Sequence, residues 1–253
     1  MRSEIILRID RRDGPDAPKY TQEFRLPYRK GLNIISCLQE IARNPVDAGG
    51  RKISPPVWDC SCLEEVCGAC TVLINGRPRQ ACSALVDQLP DGPIHLAPLT
   101  KFPVVRDLMV DRKPMFEALK TVKGWIPVDG THDLGPGPRR DPAEVEFAYI
   151  MSRCMTCGCC MEACPNYDGK DVEKFIGPQP LGQAFYFGLH PTGKMSQGER
   201  LDALMEPGGI AACGNAQNCV EVCPKEIPLT DAITNLNRQV NLRWIRSLFG
   251  AKR

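Results

Sequence analysis

Thiols dominate the chemistry this chain can offer. Fourteen of its 253 residues are cysteine, and most fall in three short stretches. The first, "CLEEVCGAC", sets Cys62, Cys67 and Cys70 at C-x4-C-x2-C, with Cys82 shortly after. The second, "CMTCGCCMEACP", sets Cys154, Cys157, Cys160 and Cys164 at C-x2-C-x2-C-x3-C and ends in Pro165. The third, "CGNAQNCVEVCP", repeats that pattern with one omission. Cys213, Cys219 and Cys223 hold its first, third and fourth positions, and Ala216 stands at the second. Close-set cysteines form disulfides in secreted proteins and bind metal in reducing compartments. The opening "MRSEIILRIDRRDG" has no apolar signal core and no Arg-rich, acid-poor transit pattern, so metal is the expectation.

The spacings favour iron–sulfur clusters. C-x4-C-x2-C with a distant fourth cysteine is the plant-type ferredoxin spacing. It predicts a 2Fe–2S cluster on Cys62, Cys67, Cys70 and Cys82, with Gly68 letting the loop run close enough for its N–H groups to reach the sulfurs. Zinc sites, the competing reading, usually pair cysteines as C-x2-C…C-x2-C. The second and third stretches follow the bacterial ferredoxin run, in which the fourth cysteine of each motif serves the other cluster. Cys154, Cys157, Cys160 and Cys223 then hold a 4Fe–4S cluster, while Cys164, Cys213 and Cys219 make an incomplete set. With Ala216 in place of a thiolate, a 3Fe–4S cluster is the natural occupant. A 4Fe–4S cluster with water, hydroxide or substrate on its open iron is the alternative. Loss of an anionic thiolate should help raise the potential within the range of roughly −700 to +450 mV that such clusters span. Of the remaining cysteines, Cys37 is expected to be a small buried hydrophobe, and Cys60 and Cys159 to be packed beside the ligand loops rather than ligating.

The elements that must position these thiols divide the chain into an α+β protein of two domains, 1–105 and 106–253. In the first, "EIILRI" and "EFRL" read as paired strands. Ile34, Ile35, Leu38 and Ile41 keep helical spacing behind Asn33 as a cap, and Asn75-Gly76 marks a hairpin between "CTVLI" and "RPRQAC". Two strands, a helix and a hairpin beside a ligand loop suit a β-grasp sheet. The second domain reads as helical, with helices expected over "VVRDLMVDRKPMFEALKTV" and "LTDAITNLNRQVNLRWIRSLF" and a loop at "DGTHDLGPGPRRDP".

Other functions find little support. The net charge of +2 gives no electrostatic case for nucleic acid. There is no dinucleotide or phosphate loop, and no apolar run of membrane-spanning length. His95, His132 and His190 are isolated, and each is expected in a loop or at a helix cap; a polar loop accounts for Asp129, His132 and Asp133. No residue is assigned a catalytic role. Three clusters of different type suggest a wire for electrons that binds no substrate of its own. A soluble ferredoxin-like carrier is the alternative of another class.

The order of a plant-type cluster followed by crossed 4Fe–4S and 3Fe–4S motifs resembles the iron–sulfur subunits of succinate dehydrogenase and fumarate reductase. The segments "CLEEVCGACTVLINGRPRQAC", "FPVVRDLMVD", "CMTCGCCMEACPN", "KFIGP" and "CGNAQNCVEVCPKEIPLT" carry the resemblance. "GPGPR" and "CMTCG" look most like the branch found in Gram-positive and related bacteria. The resemblance implies a place in the tricarboxylic acid cycle and respiratory chain, as a peripheral subunit on the cytoplasmic face of a bacterial membrane. The partners it implies are an FAD-carrying flavoprotein, a cytochrome b membrane anchor and a quinone. The N-terminal domain would face the flavoprotein and the C-terminal domain the anchor. Succinate would be oxidised on the flavin; the same architecture run in reverse is a quinol:fumarate reductase. Ubiquinone-reducing relatives place a tryptophan shortly after the Cys-Pro and a histidine after the first cysteine of the last motif. Here "NYDGKD" and Gly214 stand there instead. Only Pro165 carries over as a quinone-pocket residue, and the departures favour menaquinone and a diheme anchor. The basic, apolar "NLRWIRSLFGAKR" is expected either on a membrane or partner surface or packed on its own domain.

Overall fold

The computed structural model describes residues 3–126, 138–171 and 173–249. Two compact units arise: Met1–Arg112 with Met155–Glu162, and Lys113–Cys154 with Ala163–Arg253. The expected boundary at Val105 therefore falls inside a strand of the first unit, and part of the second cysteine motif belongs with that unit.

In the first unit, β1 (Glu4–Arg11) and β2 (Tyr20–Pro27) pair antiparallel along their full length. Strict alternation in β1 sends Ile5, Leu7 and Ile9 into the core. Helix α1 (Ile34–Arg43) starts where the Asn33 side chain accepts the Ser36 N–H at 2.8 Å, a cap that stabilises by about 1 kcal/mol. Its Ile34, Cys37, Leu38 and Ile41 are buried against the sheet. Strands β3 (Thr71–Ile74) and β4 (Arg77–Gln80) form the hairpin expected at Asn75-Gly76. Both turn residues hold positive φ, 50° and 79°, as a tight turn matching strand twist requires. Strand β5 (Ile94–Ala97) runs parallel to β1 and antiparallel to β3, giving the order β2-β1-β5-β3-β4. This is a mixed β-grasp sheet. The strand that joins its two hairpins is a four-residue run too short to show a period.

The helix expected over residues 104–122 is a correction. Strands β6 (Val104–Arg106) and β7 (Met109–Val110) fold back on each other, and α2 (Lys113–Thr121) begins only after them. The turn is set by Asp107, at φ 46°. Its carboxylate accepts from Arg11 Nε at 2.9 Å and Nη2 at 3.2 Å, and from the N–H groups of Arg12 and Val57 at 3.0 and 2.9 Å. Both charges are fully buried, so each requires the other. This long-range pair overrides the local helical period. His95 is a second correction. It sits in β5, with Nε2 2.8 Å from Asp10 Oδ1. His190 is the C-cap of the helix Pro178–Leu189, and His132, Asp129 and Asp133 lie outside the described residues.

The second unit is helical: α2, α3 (Pro142–Ser152), α5 (Pro178–Leu189), α6 (Gln197–Met205), the single turn α7 (Asn218–Glu221) and α8 (Leu229–Leu248). Helix α4 (Cys159–Ala163) opens within the first unit and ends where the second resumes. Pro142 and the Asp141 cap start α3. Gly182 lets α5 lie on α8, since an added Cβ would come 2.6 Å from Leu229 Cδ2. Helix α8 buries Leu229, Ile233, Leu236 and Val240. Beyond Val240 its Trp244, Ile245, Leu248 and Phe249 are exposed, so this apolar end is not packed on its own unit. Among the described residues no helix is long and apolar enough to cross a membrane.

Candidate iron–sulfur sites

The loop from Cys62 to Cys70 is shaped by its backbone. Leu63, Glu65 and Gly68 hold left-handed φ values of 62°, 56° and 70°. Each is followed by an N–H aimed at a sulfur. Glu64 and Val66 donate to Cys62 Sγ, and Ala69 to Cys67 Sγ, each at 3.4 Å. A left-handed residue turns the next N–H toward the inside of the loop, as in an anion-binding nest. The same device recurs twice. Gly158, at φ 88°, precedes the Cys159 N–H that bonds Cys157. Glu226, at φ 52°, precedes the Ile227 N–H that donates to Cys223 Sγ at 3.4 Å. Left-handed backbone costs a non-glycine residue roughly 1–2 kcal/mol. Leu63, Glu65 and Glu226 accept that cost, and each N–H then reaches a sulfur. Hydrogen bonds to cysteine sulfur are a main lever on a cluster's stability and potential.

The sheet fixes the other half of the first site. Cys70 leads into β3 and Cys82 follows β4, and the Ala81 N–H bonds the Cys70 carbonyl at 3.0 Å. Asn33, the cap of α1, also donates its Nδ2 to the Cys82 carbonyl at 2.8 Å. Cys70 and Cys82 thus meet thiol to thiol, as do Cys62 and Cys67. Cys62 and Cys70 differ electrostatically. N–H groups of Glu64 and Val66, with the Cys67 thiol, hold Cys62 down at about 7. Burial pushes Cys70 up to about 12, and metal binding would draw off its proton. All fourteen cysteines are unbridged.

In the second unit, Cys164, Cys213 and Cys219 line one hollow together with Ala216 and Pro165. Burial raises the Cys219 thiol to about 11, with Cys164 and Cys213 adding to the rise. Asn215 and Gln217, both left-handed at 52° and 64°, curl the loop around Ala216. Ala216 lines the hollow together with the three cysteines. Opposite Gly214, the Asn166 amide oxygen lies 2.9 Å from where a Cβ would stand, and Asn166 Nδ2 donates to the Ala212 carbonyl at 3.0 Å. A histidine at position 214 would have to displace that amide.

Cys157 and Cys160 belong to the first unit, Cys154 and Cys223 to the second. Cys157 is lowered to about 7, first by the Cys159 thiol, then by the Cys159 N–H and the Arg112 charge, against burial. Cys159 is pushed up by that same hydrogen bond and by burial, and it accepts Gln80 Nε2 at 3.4 Å. It is therefore a buried thiol touching a ligand candidate. Cys37 is buried as expected, whereas Cys60 is exposed rather than packed. Among the described residues no three His, Cys, Asp or Glu side chains are grouped to hold a single ion. Sequence reasoning missed Gln80, Arg112 and the left-handed pair Leu63 and Glu65. None carries a local signal, since each is defined by what it meets.

A β-grasp unit whose loop N–H groups point at thiols, in a chain that also carries two ferredoxin-type cysteine runs, defines an iron–sulfur protein of the ferredoxin class. Comparison with known proteins agrees. Residues 5–117 match the 2Fe-2S iron-sulfur cluster binding domain family, and residues 150–227 the 4Fe-4S dicluster domain family. The chain is 57% identical over 245 residues to the succinate dehydrogenase iron-sulfur subunit of Bacillus subtilis, covering 97% of this chain and 96% of that one. It is 31% identical over 237 residues to the fumarate reductase iron-sulfur subunit of Wolinella succinogenes, covering 93% and 95%. A chain of the Mycobacterium smegmatis Sdh1 complex in the apo form shares the fold, with a TM-score of 0.79 at 24% identity, covering 96% of this chain and 98% of that one. The chain belongs to the family of succinate dehydrogenase and fumarate reductase iron–sulfur subunits.

Proposed function

We propose that this chain is the electron-carrying subunit of a succinate:quinone oxidoreductase, standing between an FAD flavoprotein and a membrane anchor on the cytoplasmic face of a bacterial membrane. When bound, the clusters supply one-electron steps between flavin and quinone; the chain holds them and binds no succinate. The carrying observation is the recurrence of a left-handed residue followed by an N–H on a cysteine sulfur, at Cys62, Cys67, Cys157 and Cys223. That supports Cys62, Cys67, Cys70 and Cys82 as 2Fe–2S ligands. It also supports Cys157 and Cys223 as 4Fe–4S ligands, to which the motif spacing adds Cys154 and Cys160. The shared hollow at Cys164, Cys213, Cys219 and Ala216 supports a 3Fe–4S cluster there.

Finer points rest on particular residues. Pro165 lines the same hollow and is the candidate quinone contact. Asn166 closing over Gly214 favours a quinone site unlike that of ubiquinone-reducing relatives, and with it menaquinone and a diheme anchor. The 57% identity to a succinate dehydrogenase subunit, against 31% to a fumarate reductase subunit, favours succinate oxidation as the working direction.

Low-temperature EPR of the native complex, air-oxidised and then dithionite-reduced, with an iron count, tests the assignment. The expected result is a 3Fe–4S signal when oxidised, a 2Fe–2S signal when reduced, and iron for one cluster of each type. Iron for two cubanes with no oxidised signal would remove the 3Fe–4S assignment. A colourless, zinc-containing protein would remove the whole reading.

A further inference from the structure

Arg112, the last residue of the first unit, reaches back to the ligand loop. Its Nη1 donates to the Gly68 carbonyl at 2.5 Å and its Nη2 to the Ala69 carbonyl at 2.7 Å. Thr71 Oγ1 also donates to the Gly68 carbonyl, at 2.8 Å. These two carbonyls lie between Cys67 and Cys70. The described peptide bonds are all trans, so the C=O and N–H of one peptide point opposite ways. The peptide whose carbonyl Arg112 holds at Gly68 is the one whose N–H, on Ala69, meets Cys67 Sγ at 3.4 Å. The peptide held at Ala69 presents the N–H of Cys70 on its far side. A planar guanidinium holds two carbonyls in fixed relation, which an ammonium cannot do. It also polarises both peptides, strengthening the N–H groups opposite.

We infer that Arg112 is a positioning residue for the first cluster: by gripping the Gly68 and Ala69 carbonyls it aims the opposite N–H groups at the thiolate loop, and with its own charge it raises the potential of the 2Fe–2S centre. The inference rests on the proposed ligand set Cys62, Cys67, Cys70 and Cys82. The sign follows from charge. Reduction adds an electron to the cluster, and both a nearby cation and better-aimed N–H donors favour the more negative state.

The test is a redox titration of the 2Fe–2S EPR signal in the assembled complex for wild type, Arg112→Lys and Arg112→Gln. Arg112→Gln is expected to make reduction at least tenfold less favourable, a fall of about 59 mV for one electron. Arg112→Lys keeps the charge, loses the fork and should fall by less. A potential in Arg112→Gln within twofold of the wild-type equilibrium overturns the inference. If Arg112→Gln takes up no cluster, Arg112→Lys decides: a lowered potential supports the role, and an unchanged one overturns it. Cys67→Ser tests the ligand set separately. If its 2Fe–2S line shape and potential match wild type, the ligand reading fails whatever Arg112 does.

Discussion

Gly68 is the position where a single methyl should do most harm. Its φ of +70° is left-handed, and a Cβ there would lie 2.7 Å from both Cα and Cβ of Cys157 and 3.1 Å from the Met155 carbonyl. Backbone atoms make two of those three contacts, so rotamer changes cannot relieve them. Gly76 is the natural control. Its φ of +79° is similar, yet nothing lies within 4 Å of the added atom. Gly76→Ala should therefore cost only the left-handed penalty of roughly 1–2 kcal/mol. Gly68→Ala adds overpacking of roughly 1–3 kcal/mol, so it should be worse by that amount. The assay is the denaturant midpoint at which the purified complex loses the visible circular dichroism of its 2Fe–2S centre, at constant slope. Equal losses in the two variants would refute the close approach of the ligand loop to Cys157.

Three further outcomes follow from the same packing. Asp107→Ala leaves Arg11 buried without its carboxylate, and should cost roughly 3–5 kcal/mol in the same denaturant assay; a loss under about 1 kcal/mol would mean the pair does not hold the β6–β7 turn. Asn33→Ala should cost about 1 kcal/mol through the lost cap. Asn33→Asp should keep the cap and lose only the donor to the Cys82 carbonyl, which a small change in the 2Fe–2S line shape would register; identical behaviour of the two variants would count against the separation. Ala216→Cys supplies a fourth thiol to the hollow of Cys164, Cys213 and Cys219, and should replace the oxidised 3Fe–4S signal with a 4Fe–4S signal on reduction; survival of the 3Fe signal would show that Ala216 does not mark the open corner.

What could be read from the chain was local. The spacing of Cys62, Cys67 and Cys70 is itself a geometric statement, because a short loop can wrap a cluster only at certain intervals. A run of strand-forming residues exposed β1, alternation exposed β2, Asn75-Gly76 exposed the hairpin, and Asn33 marked the start of α1 with its cap correctly named. What escaped was set by distant partners. Residues 104–110 carry apolar spacing that fits a helix, but Arg11, almost a full domain earlier in sequence, claims Asp107 and bends the chain into β6 and β7. Cys60 and Cys159 both adjoin ligand loops, yet one is exposed and the other fully buried under Gln80. Nothing in their flanking residues separates them.

The two halves of the first site also divide the work of holding a cluster. Cys70 and Cys82 flank a hairpin whose backbone is paired, and burial raises the Cys70 thiol to about 12. Cys62 stands on a loop whose Glu64 and Val66 N–H groups already favour its thiolate, and the Ala69 N–H of the same loop reaches Cys67 Sγ. Uptake of iron would then begin where thiolate is available, on the outer loop, and finish at the hairpin, where the metal must displace a proton. The left-handed backbone at Leu63 and Glu65 turns the following N–H groups onto Cys62 Sγ, and the Glu65 carboxylate also accepts from Ser83 Oγ. That loop should be the least ordered part of the first unit without iron, and should gain order on loading while the β3–β4 hairpin stays as it is. Amide hydrogen exchange of the complex before and after iron removal reads this directly: protection lost at Glu64 and Val66 but kept at Val72 and Ile74 is expected, and uniform loss across both would mean the sheet depends on the cluster as much as the loop does.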